Sequence, residues 1–272
     1  MRAQTRYMGA MTQNFVRKHA FDDLHNFRDF GGYDTATGKR MAINRFFRSA
    51  NPSLASQDDL RRLAQMGLTH IVDLRRPEER QRAPSKRWEN FAAAVVENDD
   101  DDEGNETWHG LMADSDLTVD AFRGYLNRYY RRAPHLPRHI DLFTRYFDAL
   151  ADGEGALLVH CAAGKDRTGM IVALTHALAG VHEDDILADF LLTNDPERFA
   201  KHGPVWAAAI EAEHGKRPTD EAMAIAMGVE AEYLHGALEV IHESHGDIRT
   251  YLTDVLGVDA AKQRRIEKRL FD

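Results

Sequence analysis

The sequence predicts an α/β protein: a central, mostly parallel sheet flanked by helices, with a helix-rich C-terminal part. Three observations predict it. Residues 156–160 form a short apolar run bounded by Gly153 and Gly155, which suits a strand buried on both faces, and the run Thr69 to Val72 reads as a second parallel strand. The first run leads through a glycine-containing loop into residues 169–178, where Met170, Ile171, Ala173, Leu174, Ala177 and Leu178 recur at helical spacing before a stop at Gly180. Beyond Gly180 every segment has helical pattern, at 183–193, 196–214, 219–227, 230–244, 248–256 and 259–270, with Gly or Pro between them.

The remaining elements follow in order. Residues 53–67 read as a helix with Ser56 as a cap, Leu60, Leu63 and Met66 on one face and Gly67 as the stop. Residues 91–96 are a short strand candidate. They run into residues 97–106, seven carboxylates in ten residues, which repel one another and favour a solvated loop; the spacing of a calcium-binding loop is absent. Residues 118–132 and 138–150 are two helices broken by the segment holding Pro134 and Pro137.

Size and composition set limits. The 272 residues carry a net charge of -9, which disfavours non-specific nucleic-acid binding because that needs a basic face. No stretch approaches the length of a membrane span, and residues 1–20 lack the apolar core of a signal peptide. The expected location is cytoplasmic, with export lacking a signal peptide as the alternative. We expect a flexible segment at 1–21 and one domain at 22–272 that includes a helical insertion or lid near 195–228. A single cysteine, Cys161, excludes an intrachain disulfide and a cysteine-based zinc site. The fourteen histidines show no metal-ligand spacing, so neither a metal nor a cofactor is expected.

The loop from Cys161 to Arg167 joins strand to helix, the arrangement that turns backbone N–H groups and a helix N-terminus toward one anion. Gly164 permits close backbone approach, and Ala162 and Ala163 leave the amides unobstructed. The helix N-terminus, the loop amides, Arg167 and the Thr168 hydroxyl all favour a thiolate at Cys161, a nucleophile at neutral pH. Arg167 offers a planar, two-pronged contact to phosphoryl oxygens. His160 is placed as buried support rather than as a base.

The string from His160 to Gly169 resembles the C-x5-R signature of the cysteine-dependent protein tyrosine phosphatase superfamily, in its atypical bacterial branch of dual- and triple-specificity and lipid phosphatases. Asn26 to Tyr33, Phe46 to Ala50, Ile71 to Arg75 and Asp189 to Asn194 resemble the same branch in content and order. The resemblance implies a cysteine-phosphatase fold, catalytic Cys161 and Arg167, and substrate contacts from Ala162, Ala163, Gly164, Lys165, Thr168 and Gly169. It also implies Asp166 as the acid that protonates the leaving group. Asp73, at the carboxyl edge of a parallel strand, is the second candidate acid. The plain alternatives are an Asx turn for Asp166 and an ion pair with Arg75 or Arg48 for Asp73. Lys165 is expected at the cleft mouth, facing a second phosphate or solvent. The expected reaction is hydrolysis of protein phosphotyrosine, extending to phosphoserine and phosphothreonine. The alternatives are a phosphoinositide substrate and a silent phosphate-binding module. Oligomeric state is not readable from the sequence.

Overall fold

The computed structural model describes residues 15–100 and 107–271. Five strands, β1 (Arg28–Asp29), β2 (Phe46–Ser49), β3 (Leu68–Asp73), β4 (Ala94–Val96) and β5 (Ala156–His160), form one sheet in the order β1-β2-β5-β3-β4. Among these five strands of the described residues, only the β1/β2 pair is antiparallel. This is the expected mostly parallel α/β architecture, with β5 at the centre.

The strand sequences explain why the sheet is covered on both sides. Side chains alternate across a strand, and β5 sends Ala156 and Leu158 into one apolar cluster while Leu157 and Val159 enter another. The same split separates Phe47 from Phe46 on β2 and Ile71 from Val72 on β3. One cluster is closed by Leu60 and Leu63 of α1 (Gln57–Ala64), with Leu24 and Phe27 from the N-terminal approach. Helix α1 starts at a capping box in which Ser56 and Asp59 bond each other's backbone N–H groups.

The other, larger cluster is built from α4 (Val119–Arg132), α5 (Pro137–Asp152), α6 (Asp166–Ala179), α7 (Glu183–Leu191), α10 (Ala231–His245), α11 (Ile248–Asp254) and α12 (Ala260–Phe271). Helix α6 is buried along nearly all of its length after Arg167, mostly through apolar side chains, with Gly180 in the left-handed region ending it. Two short helices were not expected from the sequence: α2 (Pro77–Arg82) and α3 (Trp108–Asp114). Helices α8 (Pro196–His214) and α9 (Asp220–Met227) fall in the segment 195–228. Its two ends are clasped by Asn194, whose amide donates to Val229 O and accepts from Val229 N, both at 2.8 Å.

One expectation needs adjustment. Residues 15–21 are docked rather than loose: Arg17 donates to the carbonyls of Asp29 and Gly31, and Phe21 packs on the smaller apolar cluster. The rest of the expected flexible segment, 1–14, lies outside the described residues, as do residues 101–106 of the acidic run. The described part of that run, 97–100, is loop with Glu97, Asp99 and Asp100 exposed, as expected, and it is joined to the body where Arg80 pairs with Glu97 and Asp99 and Asn98 donates to Asp141. No helix among the described residues is long and apolar enough to cross a membrane.

Candidate active site

The parallel pairing brings the carboxyl ends of β2, β5 and β3 level, with Ser49 and Asp73 both opposite His160. Cys161 therefore leaves the sheet at its carboxyl edge, where open α/β sheets place their ligands. Residues 161–165 turn back into α6, and four consecutive loop carbonyls are held from outside. Ala162 O accepts from Asn51 N at 3.1 Å and Asn51 Nδ2 at 3.0 Å. Asn26 Nδ2 donates to Ala163 O at 3.1 Å and Gly164 O at 2.8 Å. Arg48 Nη2 donates to Gly164 O at 3.0 Å and Lys165 O at 3.5 Å.

A planar peptide points its N–H opposite to its carbonyl, so these anchors aim the following amides at the concave side of the loop. Among the described residues, no hydrogen bond uses the N–H of Ala162, Ala163, Gly164 or Lys165. Gly164 has a φ of 64°, and a Cβ there would lie 2.1 Å from Ser49 O, so the close approach of loop to strand requires glycine.

The anchors are themselves fixed by a buried charge cluster. Asp189 on α7 accepts from Arg48 at 2.9 Å and pairs with Arg28 at 3.5 Å, and Arg28 also bonds Asn26 Oδ1 at 2.5 Å. Burial opposes the Asp189 charge, yet Arg28 and Arg48 hold its carboxyl well below the usual range.

Arg167, one residue into α6, is oriented by Glu79 of α2, which accepts from Nη1 at 2.6 Å and Nη2 at 2.7 Å, and by Leu74 O at 3.0 Å. Burial would raise the Glu79 carboxyl, but Arg167 brings it below its ordinary value. Asp166 Oδ1 accepts from the buried Tyr130 hydroxyl at 2.9 Å, and Lys165 Nζ stands 3.6 Å away. Thr168 Oγ1 is buried beneath the loop with no hydrogen-bond partner among the described residues.

Asp73 is not in this group. It is 1% exposed, and Arg75 binds both its oxygens at 2.7 to 3.2 Å, realising the ion-pair alternative. Burial works against its charge, but His160 and Arg75 hold its carboxyl down at about 2. His160 is buried, 3.3 Å from Cys161 O and 3.7 Å from Asp73, as expected for a supporting residue. The expectation for Lys165 needs correcting more sharply. It is 3% exposed, and Nζ donates to Ala226 O of α9 at 2.7 Å, so it lies under α9 and not at an open mouth. Burial pushes its ammonium pKa down.

Cys161, Ala162, Ala163, Lys165, Asp166 and Arg167 line a cavity of about 500 Å³ whose outer wall is α3, α8 and α9. Arg198, His202, Trp206 and Met227 face it from that wall. Sequence reading missed Glu79, Tyr130, Asn26 and Asn51 as partners of the loop, since none is near it in the chain. It also found no metal-ligand spacing, whereas the fold assembles His109 with Glu213 and His214 on the rim of the same cavity.

The sequence profile of the tyrosine phosphatase family matches residues 19–272. A protein of Cupriavidus necator, provisionally named a tyrosine-protein phosphatase, is 37% identical over 258 residues, which cover 90% of this chain and 86% of the relative. The triple specificity protein phosphatase PtpB of Mycobacterium tuberculosis is 30% identical over 266 residues, covering 89% of this chain and 94% of that one. A tyrosine-protein phosphatase of Nostoc commune is 33% identical over a shorter stretch of 141 residues, 47% of this chain and 44% of that one. A cysteine and an arginine bracketing a loop of inward-facing amides, on a chain that matches the profile almost from end to end, place this protein in the tyrosine phosphatase family: it is a protein-tyrosine phosphatase.

Proposed function

We propose that the enzyme hydrolyses phosphotyrosine in proteins, and phosphoserine and phosphothreonine with it, through a phosphocysteine intermediate at Cys161. The reading is carried by the four outward-held carbonyls, which leave a ring of amides around the cysteine for three phosphoryl oxygens. In the first step the thiolate of Cys161 attacks phosphorus opposite the leaving oxygen; the S–P bond forms and the P–O bond breaks. Asp166 gives its proton to the departing oxygen. In the second step Asp166 takes a proton from water, whose oxygen attacks phosphorus and releases inorganic phosphate and the thiolate. Arg167, held flat by Glu79, pairs with the equatorial oxygens, whose charge the loop amides share.

Asp166 is preferred over Asp73 because it lines the cavity, while both oxygens of Asp73 are taken by Arg75. Helices α8 and α9 are the lid that screens the nucleophile, which is 2% exposed. A phosphoinositide is the second reading, favoured by Lys165 and Arg198, which line the same cavity as Arg167. Phosphate release without added metal, from phosphotyrosine, phosphoserine and phosphoinositide substrates compared in parallel, decides between them. Cys161→Ser is expected to abolish release from every substrate while retaining phosphate binding. Turnover by that variant would overturn the mechanism.

A further inference from the structure

Three potential ligands from two helices meet on the rim of the active-site cavity. His109 comes from α3, and Glu213 and His214 from the C-terminal end of α8. One ligand atom from each lies within 4.8 Å of the other two. The imidazole rings of His109 and His214 are 5.7 Å apart, and Glu213 Oε1 is 3.9 Å from His214 Nε2. Among the described residues no hydrogen bond engages the His109 ring.

We propose that His109, Glu213 and His214 bind one divalent first-row transition ion, with Zn²⁺ the best match, and that the ion clamps α3 to α8 at the rim of the cavity. Two imidazoles and one carboxylate suit Zn²⁺ in number and type, and exclude a preference for Mg²⁺ or Ca²⁺, which take oxygen ligands. Tetrahedral ligation needs donor atoms about 3.4 Å apart at bonds of about 2.1 Å. The exposed His109 and Glu213 side chains close the remaining distance by rotamer adjustment, without moving either helix.

The grouping is tertiary, which is why no spacing in the sequence shows it. Its position gives it a role, because α3 and α8 both belong to the cavity wall, and Lys216 just beyond α8 already donates to Ser115 O at the end of α3. A metal bridge at the same contact holds the insertion in its closed position. That consequence rests on reading α8 as a lid; the binding itself does not.

The test must separate this site from the thiolate, which also binds zinc. Untagged full-length Cys161→Ser protein is titrated with Zn²⁺ and, for its visible spectrum, with Co²⁺. One ion per chain is expected, with the cobalt bands of a four-coordinate nitrogen and oxygen site, and with a rise in melting temperature. Adding His109→Ala or Glu213→Ala to that protein should weaken binding at least about tenfold and remove the melting shift. Both are exposed positions, so the apo melting temperature checks that the fold is kept. No binding by Cys161→Ser, or unchanged binding in the His109→Ala version, would overturn the proposal. Bound metal with a melting shift that survives Glu213→Ala would overturn it equally.

Discussion

Tyr130 donates its hydroxyl to Asp166 Oδ1 across 2.9 Å, from a position fully buried on α4 to the carboxylate that borders Arg167. The contact fixes one oxygen of Asp166 and leaves the other oriented by it. A general acid that must meet the leaving oxygen gains from such orientation, because proton transfer requires hydrogen-bond reach.

Replacing Asp166 should therefore slow the first step in a way that depends on the leaving group. Asp166→Asn is expected to lower kcat by about 10²- to 10⁴-fold on phosphoserine, whose alkoxide departs poorly. The loss should be smaller on an aryl phosphate with an acidic phenol. Tyr130→Phe keeps the carboxyl but frees it, so its effect should be in the same order and weaker. Steady-state rates across a series of leaving groups check this, and a loss independent of the leaving group would exclude Asp166 as the acid.

Asp73 should behave as a structural residue. Asp73→Asn leaves the Arg75 guanidinium buried against a neutral partner, and is expected to cost about 3–5 kcal/mol in stability. The pH signature follows from the depressed carboxyl. Its folded value of about 2 lies below the unfolded value of about 3.9, so the charge contributes roughly 2–3 kcal/mol above pH 4. That contribution is lost as pH falls from 4 through 2. Denaturant melts between pH 2 and 6 should show this slope in the native protein and its absence in Asp73→Asn. The leaving-group dependence of kcat should be unchanged at neutral pH.

The loop carbonyl anchors make a third expectation. Asn26→Ala removes two donors from Ala163 O and Gly164 O and one acceptor from the buried Arg28, and should destabilise by about 1–3 kcal/mol. The freed peptides lose their fixed orientation, so affinity for inorganic phosphate or vanadate should fall together with kcat. Gly164→Ala is harsher. A methyl group 2.1 Å from Ser49 O, on a residue with φ of 64°, forces the loop off the strand and should cost about 3 kcal/mol with loss of anion binding. Isothermal titration with orthovanadate, alongside thermal melts, reads both effects.

How much of this was legible in the sequence depends on whether the information is local. Cys161, the loop and the start of α6 occupy one uninterrupted string from Cys161 to Gly169, and the strand before it announces itself as an apolar run. The C-terminal helices are legible because each is punctuated. Asp195, Thr219 and Asp247 cap the starts of α8, α9 and α11, and Gly215 and Gly246 end α8 and α10 with positive φ. Helix α2 has no buried residue and so carries no apolar stripe, and β1 is two residues long. Neither has a periodicity to read. Glu79 is 88 positions from Arg167, and Asn26 is 137 from Ala163. Only the tertiary fold connects them, and the burial of Lys165 depends on α9, 61 positions on.

Asn194 supplies the last prediction. Its side-chain amide closes a two-way bond to the backbone of Val229, joining the chain where it leaves for α8 to the chain where it returns from α9. The substitution Asn194→Ala opens this clasp while leaving Cys161, Asp166 and Arg167 in place. Helices α8 and α9 are then expected to spend more time away from the cavity. Substrate should enter faster, and hydrogen exchange in α8 and α9 should rise relative to α5 and α6. Alkylation of Cys161 by iodoacetamide should accelerate, because this thiol is 2% exposed in the native protein. If exchange rises uniformly across the protein, the clasp serves global stability instead. Unchanged alkylation with faster exchange confined to α8 and α9 would show that these helices do not screen the nucleophile.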